Sequence, residues 1–540
     1  MSSFSRSGTI VDIHSRTTFP GTVEVKNGLI SRIIQDKKPK SQDYILPGFI
    51  DAHVHIESSM LIPSEFARLA TVHGTVATVS DPHEIANVLG MKGIRYMIEN
   101  GKKVPFHFFF GASSCVPATA FETAGASISA EDIAELLDKD GLKYLSEMMN
   151  YPGVLQSDPE VLAKLTVAHI RNKPVDGHAP GLMGSDARTY IDHGITTDHE
   201  CYTLEEALSK ISFGMKIIIR EGSAAKNYQA LHPIIKQYPE LVMFCSDDKH
   251  PHELMKGHIN DLVRRSVVDH GYDLMDVLRI ACLHPVEHYG LDVGLLREGD
   301  PADFIVVNNL TEFKLLETYV RGTLVAKEGT SLIESVQAET PNQFNCTAKL
   351  PSDFKITATG SMVRVIQAVD GQLITKSELF EVKSGVPSIN RDILKLTVVN
   401  RYKDTAPAVA FIQNFKLKSG AIATSVAHDS HNIIAVGCSD EEIAQAVNLL
   451  IENRGGIAVV NGNKQNVLAL PVAGLMTNID CFEAANKYAE MLILAKELGT
   501  TLHDPFMTLS FMALLVIPEL KLSDKGLFDG KTFAFTELFS

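Results

Sequence analysis

Two imidazoles one residue apart, closely followed by an acid, stand at the polar end of PGFIDAHVHIESS (47–59): His53, His55 and Glu57. On an extended strand residues i and i+2 face the same side, so His53 and His55 can offer ring nitrogens to one ion about 2 Å away. A lone H-x-H fits two hydrogen-bonded histidines at a strand end equally well, so the argument rests on other positions. Later apolar runs end in Glu147, His178, His199 and the pair Asp247-Asp248. Four imidazoles with two or more carboxylates make a donor set for two divalent metal ions, Glu147 bridging and Asp247 on the more buried ion. Two carboxylates and one hydroxide leave part of the cations' charge uncompensated, and that remainder polarises a bound substrate atom.

For such side chains to meet, the elements that carry them must repeat. Eight short apolar runs alternate with helical stretches: GFIDAHVH (48–55), TVATVSDPHE (75–84), FHFFFGASS (106–114), LKYLSEMM (142–149), KPVDGHAPG (173–181), GITTDHECY (194–202), MKIIIREGS (215–223) and LVMFCSDDKHP (241–251). The rhythm predicts βα units and a parallel sheet, and eight strands close a (β/α)8 barrel whose site lies in the loops after the strands. Residues just past those ends are substrate-binding candidates: Glu57, Ser58, Asp81, His83, Glu84, Arg220, Glu221 and Asp248. The acid–imidazole–acid string Ser80-Asp81-Pro82-His83-Glu84 reads equally as support for the site or as direct contact. Arg220 reads equally as a substrate contact or an ion pair. Cys115 lines the pocket in SSCVPAT, with no base placed to activate its thiol.

Around this core, residues 1–48 read as short strands with turns at FPG and KNG, and strand-like runs in 292–335 return to them as one discontinuous small β domain. Residues 330–355 are polar and aperiodic, which predicts a linker, and 350–540 reads as a separate α+β domain. In that domain AHDSHNI places His428, Asp429, His431 and Asn432 together, as a hydrogen-bonded turn or as a contribution to the site, whereas EEIAQAVNLLIEN reads as an amphipathic core helix.

Composition narrows the classes. The 540 residues carry a formal charge of −15 and no dense basic stripe, which disfavours nucleic acid. The seven cysteines are odd in number and never spaced C-x-x-C, so reduced thiols and a cytoplasmic location are expected. No apolar run is long enough for a membrane span. His55-Ile-Glu57 matches half of the single-zinc deaminase signature, but its P-C-x-x-C half is missing. Gly526 to Gly530-Lys531-Thr532 is one residue short of a phosphate-binding loop.

The strings PGFIDAHVHIESS, SDPHEIANVLG, SSCVPA, SEMMNYPGV, DGHAPGL, IREGSAAKN, CSDDKHP, HDSHNI and LPVAGLM resemble the signatures of bacterial adenine deaminases in the amidohydrolase superfamily, over nearly the whole chain. The resemblance implies a metal-dependent (β/α)8 barrel (49–291) flanked by a small discontinuous β-sandwich domain (1–48 and 292–335), with a C-terminal α+β domain of adenine-deaminase type. It implies hydrolysis of adenine to hypoxanthine and ammonia by hydroxide that bridges two ions and attacks C6. Mn2+ is the first expectation, then Fe2+, with Zn2+ third. Glu147 stands where many relatives use a carbamylated lysine, and Lys143 lies four residues earlier. The aspartate directly after Ser246 matches the superfamily's strand-eight ligand, which favours Asp247 over Asp248. Asp247 would take a proton from water and deliver it to the departing amine, and Glu57, Glu84, Glu200 or Glu221 would protonate N1, with Glu57 ranked first and Glu200 kept as a catalytic candidate. A homo-oligomer acting on free adenine is expected. The nearest rival is a cyclic amide hydrolase or N-acetyl-sugar deacetylase with the same metals, and a silent barrel that only binds partners stands further off.

Overall fold

Asn27-Gly28 turns the chain between β2 (Thr17–Lys26) and β3 (Leu29–Gln35), both residues in the left-handed region at φ 55° and 81°. That pairing suits a two-residue hairpin turn matched to the strands' twist. The computed structural model describes residues 3–382 and 388–540. The chain forms two units. Unit 1 comprises Met1–Pro82, Ile94–Cys115 and Ser129–Gln337, and unit 2 comprises His83–Gly93, Val116–Ile128 and Ala338–Ser540.

In unit 1, β1 (Phe4–Asp12), β2, β3 and β4 (Tyr44–Pro47) share one eight-stranded sheet with four strands from far along the chain. Strand order places β4 between β1 and the returning strand Phe304–Val307, whose Phe304 pairs with Pro47. Ile10, Val23, Val25, Ile45, Phe304 and Val306 form its apolar core. The two segments read from the sequence as one discontinuous small domain thus share a sheet.

Eight further strands pair in chain order. Strands β5 (Phe49–Val54), β6 (Thr75–Ser80) and β7 (His107–Phe110) run parallel, and a parallel bridge from Ala112 to Leu145 leads to β8 (Leu145–Met148). Strand β8 pairs with β9 (Val175–Gly177), and Thr196 N–H donates to the Val175 carbonyl at 2.9 Å beside β10 (Thr197–Asp198). Strands β11 (Lys216–Arg220) and β12 (Val242–Cys245) follow, and a parallel bridge between Val54 and Asp247 closes the circuit. Strands β5 and β6 are buried at every residue, as expected of a parallel sheet covered on both faces. The helices between them start with local signals: a Ser129–Asp132 capping box opens Ala130–Lys139, Asp158 caps Pro159–His169, and Thr203 caps Leu204–Ile211.

Unit 2 holds a second eight-stranded sheet, flanked by the helices Asp440–Glu452 and Cys481–Glu497. Ile443, Val447 and Leu450 recur at helical spacing and pack on Ala421, Ala423, Ile433 and Ala458, as the amphipathic reading expects. The predicted linker behaves differently. From Ala338 onward the chain belongs to unit 2, and Cys346 and Phe354 are buried in its core, so aperiodic polar sequence here is packed coil rather than a spacer. Residues 83–93 and 116–128, read from the sequence as part of the barrel, group with unit 2. The Gly526–Asp529 strand lies in a three-stranded antiparallel sheet, the wrong context for a phosphate loop. Among the described residues no helix is long and apolar enough to cross a membrane.

Candidate metal centre

The strand ends of the unit 1 circuit bring six predicted ligands together, each at most 7% exposed. His53 and His55, at the end of β5, approach Nε2 to Nε2 at 3.2 Å. Glu147, on β8, sits at the middle: Oε1 lies 3.2 Å from His55 Nε2, and Oε2 lies 2.7 Å from His178 Nδ1 and 3.3 Å from His199 Nε2. One carboxylate therefore faces imidazoles from both halves of the circuit, the position a bridging ligand needs. Asp247 Oδ1 lies 3.3 Å from His55 Nε2 and 3.6 Å from His53 Nε2. It follows β12 with φ at 51°, an uncommon conformation for a residue other than glycine, and its N–H donates to the His53 carbonyl at 2.9 Å. Sequence reading left Asp247 and Asp248 in competition; the neighbouring Asp248 instead accepts from Ser58 Oγ at 2.5 Å.

Burial opposes charge on every one of these groups. At His53 it prevails, with the stacked His199 ring adding to it, and the imidazole stays well below its ordinary value. At Glu147 burial is outweighed by His178, His199 and His55, which hold its carboxyl well below the usual range, and at Asp247 by Arg220 and His55 in the same direction. His199 is pushed up to about 9 against burial by Glu147, and His55 and His178 are raised as well. The buried acids thus draw positive charge onto the imidazoles around them.

A divalent ion supplies such charge without protons, and the donor set fits it. His53, His55 and Asp247 form one cluster able to hold an ion, His53, Glu147 and His199 a second, and His178, His199 and Glu200 a third. His53 Nδ1, His178 Nε2 and His199 Nδ1 are buried with no hydrogen-bond partner among the described residues.

The other predicted residues separate by what they touch. Arg220 is an ion pair: Nη1 donates to Asp247 Oδ2 at 2.6 Å and also to Glu200 Oε1, and Nη2 to Glu200 Oε2 at 3.0 Å. Burial disfavours charge on Glu200, but Arg220 outweighs it and keeps the carboxyl below its usual range. Glu221 pairs with Arg265 at 2.9 Å. Glu57 lies buried in the turn Ile56–Ser59 directly after His55. Asp81 accepts from Ser113 Oγ at 3.2 Å, and its carbonyl meets His55 Nδ1 at 3.1 Å. Cys115 accepts the Met149 N–H at 3.2 Å, and burial pushes its thiol up. His83 and Glu84 group with His428, Asp429 and His431 in unit 2: Glu84 Oε1 lies 2.6 Å from His428 Nδ1, and Oε2 contacts His431 Nε2.

Sequence reading missed Asp51. It accepts from His258 Nε2 at 2.8 Å, Ser246 N–H at 2.9 Å and Ser246 Oγ at 2.5 Å, tying β5 to the end of β12 just below the ligands. The signal was present, since Asp51, His53 and His55 alternate on one strand face.

Comparison with known proteins identifies the family. Residues 44–325 match the amidohydrolase family, and 372–534 match the adenine deaminase C-terminal domain. The chain is 58% identical to the adenine deaminase of Sulfurovum sp. (strain NBC37-1) over 98% of both chains, 55% identical to that of Salinibacter ruber over 99% of both, and 51% identical to that of Methanosarcina mazei, also over 99% of both. The chain belongs to the amidohydrolase family, and within it to the adenine deaminases.

Proposed function

We propose that this chain hydrolyses adenine to hypoxanthine and ammonia at the unit 1 cluster. The observation that carries the reading is Glu147, whose two oxygens face His55 on one side and His178 and His199 on the other. His53, His55 and Asp247 would hold one divalent ion and His178 and His199 the second, with Glu147 shared, and Mn2+ is our first assignment. Bound there, the ions supply Lewis acidity and lower the pKa of water toward neutrality.

The chain's own groups then move the protons. Arg220 fixes Asp247 through Oδ2, which leaves Oδ1 turned toward His53 and His55. Asp247 accepts a proton from the attacking water as its oxygen bonds to C6, and returns it to N6 as the C6–N6 bond breaks and ammonia leaves. N1 must gain a proton so that negative charge does not collect on the ring. Arg220 keeps Glu200 ionised and Arg265 binds Glu221, which makes either a poor donor. We assign this step to Glu57, beside His55, and Glu57 recovers a proton from the second O–H of the attacking water as the C6 carbonyl forms. Ser58 and Asp248, which bond one another, sit past the same strand ends and would contact substrate.

We read the eight-strand circuit as a (β/α)8 barrel, the mixed eight-stranded sheet as its β-sandwich domain and unit 2 as the C-terminal α+β domain. We expect a cytoplasmic setting, from seven scattered cysteines that are odd in number. We expect a homo-oligomer. The test is product formation by Mn2+-loaded protein: equimolar hypoxanthine and ammonia from adenine, with no ring opening of hydantoin or dihydropyrimidines and no acetate from N-acetyl-sugar phosphates. Turnover of one of those amides with adenine untouched would move the chain to the rival reading.

A further inference from the structure

Unit 2 contains a second cluster of ligating side chains, built from the start of the helix His83–Leu89 and the loop 428–431. Glu84 Oε1 lies 2.6 Å from His428 Nδ1 and 3.6 Å from His83 Nε2, and His83 Nε2 lies 3.8 Å from Asp429 Oδ1. Every one of these residues is at most 5% exposed. Glu122, also buried, lies beside Asp429 and is hydrogen-bonded by Ser430 and Thr119.

The carboxyls of this cluster meet imidazoles but no stronger base. Glu84, Asp429 and Glu122 are three buried carboxyl groups, and among the described residues no lysine or arginine forms an ion pair with any of them. Asp429 Oδ2 and Glu122 Oε2 are buried with no hydrogen-bond partner. An unpaired carboxylate in such a setting costs several kcal/mol, so a bound cation or protonation must offset it. A hydrogen-bonded histidine–glutamate–histidine turn accounts for the two Glu84 contacts alone. It does not account for Asp429 or for the convergence of His83 on Glu84 and Asp429 together. Around an ion with bonds of about 2.1 Å, tetrahedral ligand atoms stand about 3.4 Å apart, and the three separations bracket that spacing.

We propose that unit 2 binds a third divalent cation of the zinc or manganese class, held by His83 Nε2, Glu84 Oε1, His428 Nδ1 and Asp429 Oδ1. His431, on the other oxygen of Glu84, orients that ligand, the role an outer hydrogen-bond partner takes at protein metal sites.

The test uses the full chain, stripped of metal, reloaded with Mn2+ and freed of excess ion. Metal analysis is expected to find three ions per chain in the wild type and two in His428→Gln and in Asp429→Asn, the second variant being nearly isosteric and therefore safe for folding. Anomalous diffraction at the manganese edge from wild-type crystals should place a peak among Glu84, His428 and Asp429. Its absence, with metal content unchanged in both variants, overturns the proposal. The unit 1 assignment is judged separately, by loss of two ions in His53→Ala/His178→Ala while the unit 2 peak persists.

Discussion

Buried charge is handled in opposite ways in the two units. In unit 1 four buried acids near the strand ends each meet a cation or an imidazole: Glu200 and Asp247 meet Arg220, Asp198 meets Lys210, and Asp51 meets His258. In unit 2 two buried cations have no carboxylate partner among the described residues. Arg401 is fully buried with Nε and Nη1 unpartnered, its guanidinium over the Phe344 and Tyr402 rings at 5.1 and 5.2 Å. Lys521 is fully buried and donates only to the carbonyls of Leu373 and Phe511. The contrast teaches that unit 1 is balanced around its centre by its own side chains, Arg220 above all, whereas unit 2 carries charge that its own side chains leave unneutralised.

Breaking the balance in unit 1 should have the larger effect. Arg220→Met leaves Glu200 and Asp247 buried without their cation, and the metal-free protein is expected to lose about 3–5 kcal/mol in urea unfolding. A loss under about 1 kcal/mol would mean that the pair is not the balancing element. In unit 2 the expected effect is smaller over any single pH unit and depends on pH. Burial lowers the Lys521 amine to about 7. Between that value and the ordinary lysine value the unfolded chain binds more protons than the folded one. Stability therefore rises with pH across that window and levels off below about 7, where both states carry the proton. Lys521→Met removes this dependence. Its stability relative to wild type should decline by at most about 1.4 kcal/mol for each pH unit from 7 to 10. A difference that stays flat with pH would show that Lys521 keeps its proton in the fold.

The same contrast explains what the sequence made legible. The converging unit 1 side chains sit at the ends of strands that repeat with one rhythm, so each run pointed to its own terminal residue, and the convergence of His53, His55, Glu147, His178, His199 and Asp247 could be read one strand at a time. Asp51 shares the strand face of His53 and His55, but that position alone does not say what it holds until its partner His258, 207 residues away, is in place. In unit 2 no local pattern links His83-Glu84 to the loop 428–431, since 347 residues separate Glu84 from His431. Local periodicity joined 83–93 to the barrel helices because the helix is real; its grouping with unit 2 is decided by tertiary contacts. Residues 338–354 have no period to read, yet Cys346 and Phe354 fill a core that only the folded sheet creates.

The central claim is that Glu147 joins the two halves of one metal centre. It is tested most directly by comparing Mn2+ content and adenine turnover in wild type and Glu147→Gln, both prepared metal-free and reloaded alike. The account expects the variant to lose at least one unit 1 ion and on the order of 10³-fold or more in kcat, the scale set by removing a preorganised charged group from a reacting centre. Wild-type turnover with full metal content in Glu147→Gln would contradict it.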